Sequence, residues 1–344
     1  IDQTVMTTQA FDTLGRAVDQ TQDIFVYKGT TLQQASHNVI KNLNYDNRGD
    51  AAEQHITSFK VDGLVQTPID YKVLTNRTYD ASHNISNQMI LTYSDSASTT
   101  PLDIQESRSI GFSQGVALQQ ILITYSDMAK TQQLGVKEIK NSNIQPNGNV
   151  GTRVITNYSS AAFVGGDTTK DIILPLTGAL DRQTITTDLF DNRGNATHQT
   201  VLSEGFVSGA WTFSSMQDVT NDSIDIHDQT LHSLVKSYSL ATVNSANFKG
   251  LDDITFTRYD QFGNVETENV HSYTDELKAA LKEYKEVTND FGSLTSPADM
   301  TARKKGNAKV STVSRWLDDT KANTKWIDQT VMTTQAFDTL GRAV

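Results

Sequence analysis

The side chains best suited to chemistry in this chain are seven histidines and 40 acidic residues, and their spacing matches no familiar catalytic pattern. The histidines include no His-Glu-x-x-His arrangement for zinc, and His227 and His232 fit the surface of a strand better than a metal site. Gly-x-Gly phosphate loops are absent, and the lack of cysteine excludes thiolate ligands and disulfides. We therefore expect no enzymatic activity and no bound cofactor.

Aspartate-rich turns are the one feature that could bind a metal ion. Carboxylate oxygens suit Ca²⁺, but no segment has the ligand spacing of an EF-hand or of the nonapeptide Gly/Asp repeat. Ca²⁺ is therefore the single ion that the sequence leaves open, without a defined loop to hold it.

The composition excludes several classes of partner. A net charge of −11 and a pI near 5.0 disfavour nucleic acid and anionic lipid. No apolar stretch approaches the roughly 20 residues that a membrane-spanning helix needs. Only 37% of the residues are hydrophobic, and Thr, Ser, Asn, Gln and Asp replace them, which suits many half-exposed strands. Acidic surfaces of this kind are common on secreted bacterial proteins, so we expect an extracellular or cell-surface location.

An 18-residue stretch occurs twice without a change, at residues 1–18 and again at 327–344. The two copies are offset by 326 residues. Such identity is typical of tandem arrays, so we interpret 1–326 as one long repeat unit and 327–344 as the start of the next. Neighbouring copies of the same unit are then the expected partners, including by self-assembly into a filament.

A shorter repeat lies inside the long one, marked by an aromatic-Asp-x-x-Gly motif. Degenerate copies end at His83, Gly115, Gly148 and Asp228, and most successive copies are 32–35 residues apart. One gap of 46 residues holds an insertion around 165–175, predicted as a loop or an added strand, and a gap of 78 leaves room for a ninth copy at Gly306. The Asp and Gly of the clearest copies are Asp12 and Gly15, Asp46 and Gly49, Asp191 and Gly194, and Asp260 and Gly263.

Two columns of residues follow the motif in register. Five residues after its last position stand the glutamines Gln20, Gln54, Gln88, Gln120 and Gln199. Ten residues after it stand the aromatics Phe25, Phe59, Tyr93, Tyr125, Tyr158, Tyr238 and Tyr273. Stacked amides can form a hydrogen-bonded ladder, and the alternative is a ligand-binding row. The aromatic column favours a core spine, with a sugar-stacking surface as the alternative.

Each subrepeat has the sequence of a β-hairpin. The flanks alternate β-branched and polar residues with period two, as at 184–190 and 196–202. Between them, Asp can bond the backbone two residues on and Gly can adopt the positive φ that closes the turn. The tripeptide Arg48-Gly49-Asp50 resembles an integrin ligand, but it lies inside such a turn, which explains it better.

These observations predict an all-β fold of about nine tandem β-hairpins forming a solenoid, spiral sheet or tube. One short helical insertion is predicted near 274–287, because Leu277, Leu281 and Tyr284 share a helical face and acidic residues begin the segment. Its expected role is to cover a strand edge or to contact a neighbouring unit.

The motif copies Phe-Asp-Thr-Leu-Gly-Arg, Phe-Asp-Asn-Arg-Gly-Asn and Tyr-Asp-Gln-Phe-Gly-Asn-Val resemble the Tyr-Asp (Rhs-type) repeats of large bacterial surface and toxin-shell proteins. That resemblance implies a spiralling hairpin sheet that forms a shell or tube. The leading hypothesis is a structural repeat protein that builds an extracellular fibre, tube or surface stalk. The alternatives are an adhesin that binds glycans or a host surface, and a segment of a toxin-encapsulating shell.

Overall fold

The computed structural model describes residues 2–167, 171–338 and 341–344. These residues form 19 strands, one α-helix and three short 3₁₀ turns. They divide into two compact units, the first made of 1–187 with 203–214 and the second of 188–202 with 215–344. The predicted all-β class with tandem hairpins is confirmed. The 326-residue unit of nine subrepeats stays a prediction.

The first unit is an antiparallel sheet in which each strand pairs with the next strand along the chain. Its strands are β1 (Asp2–Phe11), β2 (Ala17–Lys28), β3 (Thr31–Tyr45), β4 (Ala51–Asp62), β5 (Val65–Tyr79), β6 (Ile85–Tyr93), β7 (Asp103–Ser113), β8 (Val116–Tyr125), β9 (Gln133–Ile144) and β10 (Val150–Phe163). Three further strands contribute residues to both units: β11 (Ile172–Phe190), β12 (Ala196–Val207) and β13 (Ala210–Ile224).

The second unit continues the same pattern of consecutive antiparallel pairing. Its remaining elements are β14 (Thr230–Tyr238), β15 (Phe248–Tyr259), β16 (Val265–Tyr273), β17 (Leu281–Asp290), α1 (Pro297–Lys304), β18 (Val310–Trp316) and β19 (Trp326–Thr333). Every strand boundary falls at one of the turn or loop sequences, because Asp, Gly and Asn there leave the strand conformation.

Alternation along the strands places the core of the first unit on one face of the sheet. On β8, Ile121, Ile123 and Tyr125 are fully buried, whereas Gln120 next to them is only half-buried. A strand with this alternation cannot shift by one residue without exposing its apolar side chains, so the register is fixed. The buried residues that join these three in one cluster are Met89, Leu91, Ile104, Val136, Ala161, Phe163 and Leu176.

The predicted helix at 274–287 is wrong. Residues 274–280 form a loop, and from Leu281 the chain continues as strand β17, which pairs with β16 on one side and β18 on the other. The Asp275 carboxylate accepts hydrogen bonds from the backbone N–H groups of Leu277 (2.9 Å) and Ala280 (2.6 Å), which fixes the loop in place of a helical turn. Leu277, one of the three residues that suggested a helix, is 88% exposed.

The α-helix lies further along, at Pro297–Lys304. Ser296 caps it, accepting a hydrogen bond from the N–H of Asp299 at 3.3 Å, and Pro297 occupies the first turn. Both are strong start signals that stand in the sequence. The sequence-based prediction relied on the helical spacing of apolar residues at 277–284 and missed the start signals at Ser296 and Pro297.

The insertion in the 46-residue gap lengthens a hairpin. Strands β10 and β11 pair as far as Phe163 opposite Ile172, and a 3₁₀ turn at Val164–Gly166 follows β10. The described part of the insertion is therefore an extended hairpin end with a loop, and residues 168–170 lie outside the described residues.

Candidate functional site: stacked hairpin turns

The aromatic-Asp-x-x-Gly motif folds into one recurring turn. In its first copy, the N–H of Gly15 donates to the carbonyl of Asp12 (3.0 Å), and the N–H of Asp12 donates to the carbonyl of Arg16 (2.9 Å). The Asp12 carboxylate accepts from the N–H groups of Leu14 and Arg16, both at 2.9 Å. The hydrogen bond from the Arg16 backbone is the main reason that the pKa of Asp12 is lowered. The same backbone bonds recur in the turns that begin at Asp46, Asp80, Gln145, Asp191, Asp225, Asp260 and Asp338.

The last turn position requires a positive φ. Gly15, Gly49, Gly194 and Gly263 have φ between 78° and 89°. His83 and Asp228 adopt φ of 63° and 60° at the same position, which explains why these degenerate copies still form the turn. The copy at Gly115 differs, because Gln114 and Gly115 form a two-residue hairpin turn between β7 and β8 in its place.

Successive turns are linked by polar bonds in each unit. In the first unit, the Arg48 guanidinium donates to the backbone carbonyl of Asp80 (2.7 Å), and His83 Nδ1 lies 2.7 Å from Asp50 Oδ1. In the second unit, Arg193 donates to the carbonyl of Asp225 at 2.7 Å. Residues 32 positions apart thus make the same contact twice, and in both places this contact links one turn to the next.

The tyrosine of the motif also bonds to the preceding hairpin. The Tyr79 hydroxyl donates to the carbonyl of Ala51 at 2.7 Å, and Tyr45 donates in the same way to the carbonyl of Ala17. Asn42 donates a second hydrogen bond to that carbonyl at 3.1 Å. Equivalent Asn-to-carbonyl bonds are Asn141 to Ala117, Asn221 to Ala196 and Asn289 to Val265. These bonds satisfy a strand-end carbonyl in each hairpin, as a half-buried backbone requires.

Helix α1 occupies the position that the sequence assigned to a ninth turn. The Asn264 side chain of the preceding turn donates to the carbonyl of Arg303 (2.8 Å), and the Arg303 guanidinium contacts Asp260 Oδ2 at 3.0 Å. On its other side, the backbone of Ala302 packs against Gly341 of the last turn. Gly306, where the ninth copy of the motif was predicted, follows the helix end with φ of 73°. The helix therefore lies between the turn that begins at Asp260 and the turn that begins at Asp338.

The tripeptide Arg48-Gly49-Asp50 is engaged within the protein. Arg48 Nη2 lies 2.7 Å from Asp50 Oδ2, and the Asp50 side chain is only 10% exposed. The hydrogen bond from His83 is the main cause that lowers the pKa of Asp50. Both charged side chains thus link this turn to the one that begins at Asp80.

The glutamines of the column do not bond directly to one another. A residue on the strand between two of them links their side chains. Asn42 donates to Gln20 Oε1, and Gln54 donates to Asn42 Oδ1, both at 2.8 Å. Gln120 similarly donates to Ser107 at 3.0 Å. From Gln20 to Gln120, successive glutamines of the column lie two strands apart, about 10 Å, which is too far for a direct bond, so the strand between them must supply the partner. Gln88 and Gln199 lie half-buried at their equivalent positions on β6 and β12.

The aromatic column lies at the opposite ends of the strands. Tyr125 and Tyr238 are buried, and Phe25, Phe59, Tyr93, Tyr158 and Tyr273 are half-buried. The Tyr125 hydroxyl donates to Glu106 at 3.0 Å and the Tyr158 hydroxyl donates to Glu138 at 3.2 Å. Burial is the main cause that raises the pKa of Tyr158, with the Glu138 charge second.

A second turn sequence, which the sequence analysis missed, follows three members of this column and also Trp316. It has the form aromatic-x-Asp, and its aspartate accepts hydrogen bonds from the backbone of the loop it begins. Asp95 accepts from the N–H of Ala97 at 2.8 Å, and Asp275 accepts from that of Leu277 at 2.9 Å. The signal was visible as Tyr93-Ser94-Asp95, Tyr125-Ser126-Asp127, Tyr273-Thr274-Asp275 and Trp316-Leu317-Asp318.

Buried charge is concentrated at Glu106, which is 2% exposed. Its carboxylate contacts Arg108 Nη2 and Lys130 Nζ, both at 2.8 Å, and accepts the Tyr125 hydroxyl. A buried carboxylate with this many donors is compensated, and it fixes the side chains around it. Glu106 therefore serves as a structural ion-pair centre.

Two histidines lie between pairs of aspartates in the second unit. His198 contacts Asp188 (2.5 Å) and Asp218 (2.7 Å). His232, 34 residues on, contacts Asp222 (2.6 Å) and Asp253 (2.7 Å). Burial lowers the pKa of each histidine, but the hydrogen bonds and charges of the aspartates outweigh it and raise the pKa overall.

Sequence analysis predicted that His227 and His232 both lie on the surface of a strand. His232 does lie on strand β14. His227 lies instead in the Asp225 turn, where its backbone N–H donates to Asp225 Oδ1. Within the described ranges, no group of three or more His, Cys, Asp or Glu side chains is arranged to hold a metal ion.

Comparison with known proteins does not assign this chain to a family. No family model matches the chain, and the search of curated proteins returns no match. A solved structure described as "Crystal Structure of TcdB2-TccC3-Cdc42" matches at 11% sequence identity with a TM-score of 0.15. The match covers 92% of this chain but 21% of the other, so this chain spans about a fifth of that neighbour's length. The resemblance to Tyr-Asp repeats therefore rests on the sequence motifs. Among the described residues, no helix has the length and apolar character to span a membrane.

Proposed function

We propose that this chain is a structural repeat protein that builds an extracellular fibre, tube or surface stalk, with neighbouring copies of its own unit as partners. The turns formed by the aromatic-Asp-x-x-Gly motif support this proposal best. Their side chains bind one hairpin to the next, as in the repeated contacts of Arg48 with Asp80 and Arg193 with Asp225. Repeat proteins gain their stability from such contacts between nearest neighbours. In this role the chain needs no catalytic residues or cofactor.

The adhesin alternative has less support. Its candidate contact surface is the aromatic column, whose members are all at least half-buried. Tyr125 and Tyr158 use their hydroxyls on Glu106 and Glu138, so these groups already have partners within the protein.

Electron microscopy of chains with one, two and three joined 326-residue units tests the proposal. We expect rods whose length grows by a constant increment with each added unit. Compact particles whose diameter follows the cube root of mass would overturn it.

A further inference from the structure

Strand β13 has an open edge in the interior of the sheet. Its register with β14 ends where Met216 lies opposite Tyr238. Residues 210–214, here called the β13 arm, continue the strand beyond this point in the hairpin with β12. Among the described residues, no strand pairs with the other edge of this arm, although β12 and β14 both belong to this chain. Such an edge presents unpaired N–H and C=O groups to another strand.

Two other hairpins of the first unit protect the equivalent edge. On β10, beyond its register with β9, the Gln133 side chain accepts from the N–H of Ala161 (2.7 Å) and donates to its carbonyl (2.9 Å). On β5, beyond its register with β6, lie Pro68, which has no N–H, and the buried Asp70. The β13 arm has neither device, and residues 205–217 carry no charge. Because proline and charged side chains are the usual means of blocking an edge, this one is suited to pairing.

The turn of the hairpin determines which backbone groups face the open edge. Ser208 and Gly209 form a two-residue turn with φ of 52° and 85°, so the residues on either side of it make a hydrogen-bonded pair. Hydrogen-bonded and non-hydrogen-bonded pairs alternate along an antiparallel hairpin. The N–H and C=O groups of Trp211 and Phe213 therefore point away from β12 and towards the open edge.

The side chains of the arm make its sequence complementary to itself. The Trp211 ring lies 4.9 Å from the Phe206 ring, and the Arg182 guanidinium lies 4.5 Å from its centroid. Phe213 is two residues further on, so it lies on the same face as Trp211, and both are half-buried. An antiparallel copy of the arm, centred on Thr212, thus places tryptophan opposite phenylalanine on both sides of the centre.

We propose that the β13 arms of two copies of this chain pair in antiparallel fashion about Thr212, in one continuous sheet. Trp211 of one copy exchanges backbone hydrogen bonds with Phe213 of the other, and the two Thr212 side chains lie opposite each other. Aromatic and threonine cross-strand pairs both stabilise a sheet. The uncharged arm also brings no like charges together, although the chain has a net charge of −11. A second copy is therefore the occupant that this sequence fits.

The proposal goes beyond the proposed function, because it joins separate chains through an interior strand and not successive units of one chain. One short strand from each chain makes a small interface, so we expect a weak dimer of the single chain. An array of joined units carries one arm per unit, and simultaneous pairing of several arms raises the overall affinity. Neighbouring fibres are then joined along their length.

Opposite charges at Thr212 test the proposal in the full chain. Thr212→Lys alone and Thr212→Glu alone place like charges opposite each other, so each should lower the dimer association constant about fivefold or more in analytical ultracentrifugation. A mixture of the two variants should recover association, because lysine then lies opposite glutamate. The control, Val207→Lys, adds a charge at an exposed position on β12 outside the arm and should leave the constant nearly unchanged. An unchanged chain that stays monomeric at high concentration, or a mixture without recovery, would overturn the proposal.

Cysteine pairing tests the register, because the chain has no cysteine of its own. Thr212→Cys places two thiols in a non-hydrogen-bonded pair, where the Cα atoms lie about 4.5 Å apart and a disulfide can form. Ser214→Cys lies opposite Ala210 of the second copy, so its disulfide should form far less under mild oxidation. Equal yields would overturn the register.

The outcomes separate this proposal from the structural function. Rods from joined units, with single chains that never associate, would overturn the pairing and leave the structural function intact. Dimers through Thr212, with compact particles from joined units, would do the reverse.

Discussion

Residues 1–18 and 327–344 have the same sequence, yet they differ in strand length and in packing. In the first copy the strand runs over Asp2–Phe11, beside the 12-residue β2. In the second copy it ends at Thr333, beside the seven-residue β18. The turn is nevertheless alike: the N–H of Arg16 or Arg342 donates to the turn aspartate at 2.9 Å in both. The turn is set by its own sequence, and the strand is set by its neighbour.

The largest effect that should separate the two copies comes from their glycines. Both have positive φ, 78° at Gly15 and 72° at Gly341, but only Gly341 packs against α1. We expect Gly15→Ala to cost about 1 kcal/mol through backbone strain alone. Gly341→Ala should cost about 3 kcal/mol, because its Cβ also overlaps the Ala302 backbone. Urea unfolding measures both, and equal costs would show that the second turn does not pack against the helix.

A smaller and equal effect is expected from the turn aspartates. Asp12→Ala removes the carboxylate that accepts from the backbone N–H of Arg16, and Asp338→Ala removes the one that accepts from Arg342, so each should lower the unfolding midpoint by a similar, modest amount. Asn at either position keeps an acceptor oxygen and should restore most of the loss. A marked difference between Asp12→Ala and Asp338→Ala would mean that the surroundings, and not the local sequence, fix the turn.

The smallest effect concerns pH and lies outside the repeated stretch, in the two histidines of the second unit. Because the aspartates raise the pKa of His198 and His232, the folded state binds protons more tightly than the unfolded state. Their stabilisation is complete below the unfolded pKa of about 6.5 and is lost as pH rises through the raised pKa. His198→Gln with His232→Gln should therefore flatten the fall in stability above pH 6.5, by at most about 1 kcal/mol in total. An unchanged pH profile in that variant would contradict the assignment.

The sequence predicted the parts of the fold that local chemistry determines. The turn at Asp46, the strands around Phe190 and the two columns all follow from residue type and period two. The helix prediction failed because Leu277, Leu281 and Tyr284 have helical spacing, while the capping bonds of Asp275 and pairing on both edges of β17 favour loop and strand. Some contacts do not follow the repeat period, such as that of Ala302 with Gly341. They depend on the tertiary fold, so residue spacing does not predict them.

The candidate site was predicted in part. The aspartates and glycines of the turns were identified, but the bonds that link one turn to the next were not. Arg48 bonds to a backbone carbonyl 32 residues away, which any residue type at that position would provide. Asn42 completes the glutamine chain from the neighbouring strand, and no column in the repeat alignment marked it.

The central claim is that a neighbouring unit completes the open edge of this repeated strand. Hydrogen exchange at residues 3–7, compared between the single chain and a chain of two joined units, tests it most directly. In the single chain, the N–H groups that face away from β2 should exchange quickly, since among the described residues this edge has no strand register. In the joined chain, the copy at the junction should protect alternate amides on both edges, slowing their exchange about a hundredfold or more. Unchanged fast exchange at the junction would contradict the account.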